Sequence, residues 1–393
     1  MKKSLIALAI GGFGIGLTEF VIMGILPDVA NAINITIPQA GHFISAYALG
    51  VVVGAPLLTG IGGKWPAHHT LLLLMLWFTI FNTLSAFANN YWLLLSARFL
   101  SGLPHGAFFG IGAVVAAKLA RKGKEPSAIA TMFTGLTIAN IAGVPLGTYL
   151  GHIKWNYAFL LAGFVGILAI AAIWFWMPKL PRSTKQSMTK DMGVLKRVEP
   201  WMVILLTTIG TGGFFAWYSY IAPLITEVAG FSENMISTAM VIAGLGMFTG
   251  NFIGAKLAER FSPVYAVIMA LSLMVIALVL NTMLAGNQIA ILIMTYVIGV
   301  IAFSLSTPIQ LTMINSSKGS EMLGSSLNQS AFNMGNASGA FLAGLPIAYG
   351  YGFVSADYVG AAMAFTGIFI AIAIVMLRRK KAKNLKLSAQ YTL

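Results

Sequence analysis

Cysteine is absent from this 393-residue chain, and Asp and Glu together number only ten. Without thiols there is no disulfide, no thiolate metal site and no cysteine nucleophile. Charged residues make up 9% of the chain against 58% hydrophobic, and the mean hydropathy is +0.86. A soluble domain of this size could not cover its surface with so few polar groups. Also missing are a phosphate-cradling P-loop, a Gly-rich dinucleotide fingerprint, a His-Glu-x-x-His pair and a nucleophile triad. Nothing therefore points to ATP as an energy source or to a cofactor, which leaves ion gradients.

What the chain has instead is long apolar runs. About 20 residues of helix cross ~30 Å of hydrocarbon, and twelve such stretches are found, at 4–26, 39–61, 71–88, 92–116, 128–150, 157–177, 201–225, 234–257, 263–285, 288–311, 323–348 and 357–377. The fold class expected is an all-α membrane protein. The opening run continues past a signal peptide's apolar core and shows no small-residue cleavage site, so it reads as the first span. Lys2, Lys3, Lys64, the Lys118–Lys124 cluster, the 179–197 segment, Lys256, Arg260, Lys318 and the end from Arg378 to Lys386 all fall on one side, and only Lys154 falls on the other. Cytoplasmic loops carry the excess of Lys and Arg, so both termini are expected inside. The net charge of +14 is then a topology signal, with the basic tail near anionic headgroups, and no nucleic-acid partner is expected.

The chain also repeats itself. A shift of 196 residues superposes Gly16 on Gly212, Pro27 on Pro223, Gly50 on Gly246, Gly54 on Gly250, Asn140 on Asn336 and Gly143 on Gly339. The polar, basic 178–200 segment separates the copies. The expected organisation is a six-helix bundle over 1–177, a linker over 178–200, a second bundle over 201–377 and a basic tail over 378–393. Parallel duplication of six spans is the layout of major facilitator transporters, whose site lies near mid-membrane between the halves. Glycines four apart, such as Gly102, Gly106 and Gly110, let helices approach closely; some could also serve as sliding surfaces.

Arg98-Phe99-Leu100-Ser101-Gly102-Leu103-Pro104-His105-Gly106 resembles the fourth-span motif of that superfamily, and Gly143-Val144-Pro145-Leu146-Gly147 resembles its fifth-span antiporter motif. With Gly16-Leu17-Thr18-Glu19-Phe20 and Phe215-Ala216-Trp217-Tyr218-Ser219-Tyr220, the whole chain is most similar to AraJ-type sugar-efflux-like members of the twelve-helix drug:proton antiporter branch. The resemblance implies proton-driven export of a sugar or drug-like amphiphile from a bacterial inner membrane, with no enzymatic activity. Two departures stand out. Gly62-Gly63-Lys64-Trp65-Pro66 lacks the acid of the usual loop latch, whereas Glu259-Arg260 keeps acid and base in the second half; and Asn156 stands where the motif has Arg.

Glu19 and Arg98 are read as the pair of oppositely charged side chains that sit inside hydrocarbon, each on the order of 10 Å below the outer boundary. Charge in hydrocarbon marks a substrate or ion pathway. Burial and a nearby guanidinium act in opposition on a carboxyl group, so Glu19 is the expected proton carrier with Arg98 stabilising its ionised form. The alternative is a permanent ion pair that fastens two helices. His105, two turns beyond Arg98, is either a proton relay or a neutral hydrogen-bonding residue; His42, His68 and His69 read as structural or solvated, and no metal site is expected. In the second half the same positions are Phe215, Met294 and Ile301, so proton handling is assigned to the first half. Substrate surface is expected from Trp217, Tyr218, Tyr220, Gln310, Asn328, Gln329 and Asn333, although Trp217 and Tyr220 suit packing equally well. Asn140 with Asn336 reads as structural. The expected partners are a small molecule and the bilayer, with the chain monomeric. An importer, an uncoupled facilitator, an intramembrane enzyme and a receptor stay open as alternatives.

Overall fold

A computed structural model of the chain describes residues 2–35, 37–63, 65–179, 192–232 and 234–390. Residues 180–191 of the expected linker, Lys64 in the loop after the second span, Thr36 and residues 391–393 lie outside the described residues. Every described element is helical, as lipid requires of a spanning chain that cannot close a barrel. In order the helices are α1 (Lys2–Gly24), α2 (Leu26–Ala32), α3 (Ile37–Gly62), α4 (Ala67–Ala86), α5 (Tyr91–Leu119), α6 (Glu125–Ile138), α7 (Val144–Ile153) and α8 (Asn156–Trp176). There follow α9 (Val198–Tyr218), α10 (Asn234–Arg260), α11 (Pro263–Leu284), α12 (Gln288–Ser304), α13 (Ser306–Ser316), α14 (Glu321–Ala348) and α15 (Ser355–Gln390).

Proline accounts for two of the breaks within spans. Pro145 has no N–H to return to Ile141, and the turn before it widens into a π-helix over Ala139–Gly143 that joins α6 to α7. Pro308 likewise cannot bond the carbonyl of Ser304, so α12 stops at Ser304 and α13 restarts at Ser306. Counting α6–α7 and α12–α13 as single spans, eleven described helices are long and apolar enough to cross a membrane. The twelfth expected span, α14, is 28 residues long. Its serines and amides lower its hydropathy below that of a lipid-facing helix, and they are mostly buried in protein.

The repeat read from the sequence reappears in the packing. In the first half α3 lies along α5, α1 along α6 and α8, and α4 along α8; in the second, α10 lies along α12, α9 along α14 and α15, and α11 along α15. A Cβ on Gly54 would fall on the Leu103 carbonyl, and one on Gly250 would fall on the Val300 carbonyl, so the same close crossing is built twice. Asn90 caps α5 by accepting from the Leu93 N–H, and Asn287 caps α12 by accepting from Ile289 and Ala290. Gly123 and Gly319, 196 residues apart, both turn the chain with positive φ, +80° and +87°, a region that favours glycine.

The halves meet where α14 rests on α3 and α5 and where α10 rests on α6. Gly102 abuts the Tyr47 carbonyl within the first half, whereas Gly106 touches Gln329 as well as Ala55, and Gly110 faces Ser326. One glycine stripe therefore serves both intrahelical-bundle packing and the contact between halves. Hydrogen bonds cross the same interface from Thr59 to Ser326 (2.6 Å), from Asn251 to the Ala130 carbonyl (2.7 Å) and from Ser330 to the Val52 carbonyl (3.1 Å). On the outside of the bundle Trp174, Phe175, Met283 and Ile289 are exposed, as lipid-facing side chains are. The basic end differs from its expected form: α15 runs without a break past 377 to Gln390, and Arg378 and Lys381 bind Glu199 at the start of α9 at 2.7 and 3.0 Å.

Candidate functional site

Two connected spaces open between the halves. A vestibule of about 920 Å³ is lined by the ends of α1, α7 and α10 farthest from the Lys/Arg-rich face, and includes Asn140, Pro145, Thr148, His152 and Asn336. Beneath it lies a narrower cavity of about 40 Å³. Phe20, Phe215 and Tyr218 line both and form the constriction between them. Toward the basic face the halves are closed. Glu259 on α10 there accepts hydrogen bonds from Lys124 (2.6 Å) and from the Ser127 hydroxyl, both in the first half. Arg260, expected to work beside Glu259, instead lies over the Phe261 ring at 5.7 Å.

Glu19, His105, Tyr218, Gln310, Asn328, Gln329 and Asn333 all line the inner cavity. Pro308 matters here, because the restart of the helix at Ser306 turns Gln310 inward. Gln310 Oε1 accepts from Asn328 (2.7 Å) and Gln329 (3.1 Å), its Nε2 donates to the Ser325 hydroxyl, and Asn328 in turn accepts from Thr207 at 2.7 Å. Two of the amides are thus consumed by the network that fixes α13 and α9 to α14. Asn333 donates to the Gln329 carbonyl (3.1 Å), so its Oδ1 and the Gln329 Oε1 are the acceptors left to the cavity. His105 Nδ1 pairs with the Tyr47 hydroxyl at 3.2 Å, and Nε2 is its remaining polar atom.

Arg98 does not meet Glu19. It is fully buried behind α1, where Nη1 donates to the Thr18 hydroxyl (2.9 Å) and Nη2 to the Thr18 carbonyl (3.0 Å). Its guanidinium lies 4.5 Å from the Tyr47 ring centroid and 5.4 Å from that of Phe159. Successive helical residues project about 100° apart, so the arginine that reaches Thr18 leaves Glu19 turned to the cavity. Thr18 also bonds Asn82 on α4, and this Arg98–Thr18–Asn82 chain fixes the α1 turn that carries the acid. The ion pairs among described residues are those of Glu259 and Glu199 together with His152–Asp28. No described residue donates a hydrogen bond to the Glu19 carboxyl group.

Two expected substrate residues lie elsewhere. Trp217 is buried against Phe214 and Tyr218, behind the cavity wall. The Tyr220 hydroxyl donates to the Ala340 carbonyl at 3.2 Å and packs α9 on α14. Neither is among the residues that line the inner cavity with Tyr218. Gly143 and Gly147 receive Phe13 and Val21 of α1, which is helix packing. Asn140 donates to its own helix at Leu136 (3.0 Å), yet it and Asn336 also line the vestibule. The confinement of buried ionisable groups to the first half is overturned by Asp357. This residue is fully buried at the start of α15 and accepts from Asn281 at 2.8 Å. Its place at the very edge of the last apolar run concealed it.

A long two-fold repeated helical bundle with a cavity between its halves is a transporter architecture, and the comparisons agree. Residues 8–340 match the model of the Major Facilitator Superfamily. The chain belongs to that superfamily. It is 36% identical over 385 residues to AraJ of Escherichia coli (strain K12), covering 98% of each chain. It is 39% identical over 377 residues to the inner membrane transport protein YdhP of the same organism, covering 96% of each. The crystal structure of FucP in the outward conformation shares the fold with a TM-score of 0.75 at 17% identity, covering 94% of this chain and 98% of that one. This chain is accordingly a multi-pass membrane transporter that takes a small molecule within the bilayer, and not an enzyme.

Proposed function

We propose that this transporter exports a small organic molecule in exchange for protons, opening alternately to the two sides of a bacterial inner membrane with both termini in the cytoplasm. The observation that carries the reading is Glu19, a carboxyl group in the cavity between the halves with no protein hydrogen-bond donor. A group so placed exchanges protons with whichever side the cavity faces. Arg98, held to Thr18, keeps positive charge behind the α1 turn without quenching the acid, and His105 is placed to pass protons across the cavity floor. The basic face is closed and the vestibule opens opposite; under the basic-side-inside assignment this is the outward-facing state, in which Glu19 loads a proton. The fifth-span antiporter motif and the resemblance to AraJ-type exporters support export over import.

Protein in vesicles loaded with a pH-sensitive dye tests the reading. A transported compound should dissipate an imposed pH gradient in the wild type and fail to do so in Glu19→Gln, while exchange of labelled for unlabelled compound persists in the variant. Undiminished gradient-coupled transport by Glu19→Gln would remove the carrier role. Gradient-insensitive transport by the wild type would leave an uncoupled facilitator.

A further inference from the structure

The acid–amide contact between α11 and α15 is short of one hydrogen atom. Asn281 Nδ2 donates to Asp357 Oδ2 at 2.8 Å, and both side chains are fully buried. The two remaining oxygens, Asp357 Oδ1 and Asn281 Oδ1, are buried as well, and neither has a hydrogen-bond donor among the described residues. From these orphaned acceptors we infer that Asp357 is held protonated and donates from Oδ1 to the Asn281 oxygen, so that a proton fastens the outer end of α15 to α11 and is released when the outside turns alkaline.

Carboxyl and amide groups are planar and complementary once the acid carries its hydrogen. With one bond already made, a proton on Asp357 Oδ1 closes a cyclic pair and satisfies two acceptors at once. An ionised Asp357 finds no such compensation. α15 packs on α9, α11 and α14. Their titratable groups are Glu199 at the opposite end of α9, Tyr218 in the cavity lining, Tyr265 at the opposite end of α11, where Arg379 binds it, and Glu321 at the opposite end of α14. Tyr349, Tyr351 and Tyr358, near Asp357 in the sequence, are exposed. On α15 itself the first cation is Arg378, about 32 Å along the helix at 1.5 Å per residue, and it is bound to Glu199. The start of a helix favours an anion, but Asp357 Oδ1 takes no backbone N–H there. A buried carboxylate with neither cation nor sufficient donors is costly, and such a group neutralises instead.

The internal repeat shows that helix packing does not call for this acid. Under the 196-residue shift Asn281 and Asp357 fall on Ser85 and Leu161, which belong to the matching pair of helices α4 and α8. Ser85 donates to the Phe81 carbonyl of its own helix at 2.8 Å, and Leu161 is apolar. The first half thus builds the same crossing with no carboxyl group. The acid–amide pair belongs to the second half alone, at the end of the bundle opposite the basic face. Its exposure to the outside rests on the orientation proposed above; the protonation does not.

The sign of the pH effect follows. An unfolded aspartate loses its proton near pH ~3.9, whereas the folded pair keeps it, so the folded chain binds one proton more. The unfolding constant contributed by this site therefore rises about tenfold per pH unit above that value, until the folded site gives up its proton too. Past that point the start of α15 carries an unmet charge and parts from α11 to reach water.

The test uses the purified full chain in detergent, in a Glu19→Gln background so that the cavity acid adds no signal. Near neutral pH the infrared spectrum should show a carboxylic-acid C=O stretch that Asp357→Asn removes. The melting temperature should fall between about pH 5 and about pH 9 relative to that of Asp357→Asn, because the asparagine supplies the same donor and acceptor at every pH. Amides of residues 353–362 should exchange hydrogen faster at alkaline pH than in Asp357→Asn at the same pH. Absence of the acid band, parallel melting curves for the two proteins across pH, or failure of Asp357→Asn to fold overturns the inference. So does a gain in melting temperature with sodium over choline at equal ionic strength that Asp357→Asn abolishes, since a cation would then hold the two oxygens. Loss of proton coupling in the Glu19 experiment above would leave all of these results unchanged.

Discussion

The closure of the basic face can be taken apart residue by residue. Glu259 is 14% exposed and is held by Ser127 and by a Lys124 that is 63% exposed. A hydrogen bond to an ionised acceptor contributes about 1.5–3 kcal/mol, whereas an ion pair to so exposed a lysine contributes roughly 0.2–1 kcal/mol. Glu259→Ala should therefore weaken closure by about 2–4 kcal/mol, a roughly 30- to 1,000-fold increase in the open population at 1.4 kcal/mol per tenfold. Ser127→Ala should carry most of that and Lys124→Met less than about fivefold. Because the chain has no cysteine, a single Ser326→Cys at the buried interface reports opening directly through its rate of alkylation by N-ethylmaleimide. The Lys124 share should vanish in ~1 M salt, where screening acts over about 3 Å, and the Ser127 share should not. Equal effects of Lys124→Met and Ser127→Ala, or no rate change in Glu259→Ala, would refute the assignment of closure to this carboxylate.

Other substitutions follow from the same contacts. Gly54→Ala and Gly250→Ala should each lower stability by about 1–3 kcal/mol through overpacking against a carbonyl, read as a fall in melting temperature, while Gly41→Ala, with nothing near its Cβ, should not. Arg98→Lys loses the fork that spans the Thr18 hydroxyl and carbonyl, and should reduce both melting temperature and transport where a mere ion-pair role would be rescued by lysine. At acid pH Asp357→Asn should keep an acceptor for Asn281 and be nearly silent, whereas Asp357→Leu should cost about 1–3 kcal/mol by stranding that amide. Neither should alter transport specificity, since Asp357 lies outside the cavity lining.

Composition and periodicity were enough for the fold, for reasons that are physical. Hydrocarbon admits only helices or closed barrels, so the apolar runs and the 196-residue repeat left little choice of architecture. The cavity amides Gln310, Asn328, Gln329 and Asn333 were legible because polar groups are rare in such helices and must face protein. Residue type also marked Glu19, His105 and Tyr218. Rotation about a helix axis was not legible at single-residue precision: it puts Thr18 rather than Glu19 against Arg98, and keeps Trp217 and Tyr220 out of the cavity that Tyr218 lines. Asp357 escaped because one residue of uncertainty at the end of a span decides between water and burial. The partner of Glu259 was hidden for another reason, since Lys124 and Ser127 are more than 130 positions away and come near only through the packing of one bundle on the other. Local chemistry is written in the chain's order, while contacts between distant helices depend on how their surfaces interlock, and in this protein it is those contacts that leave one acid facing a ring-lined cavity.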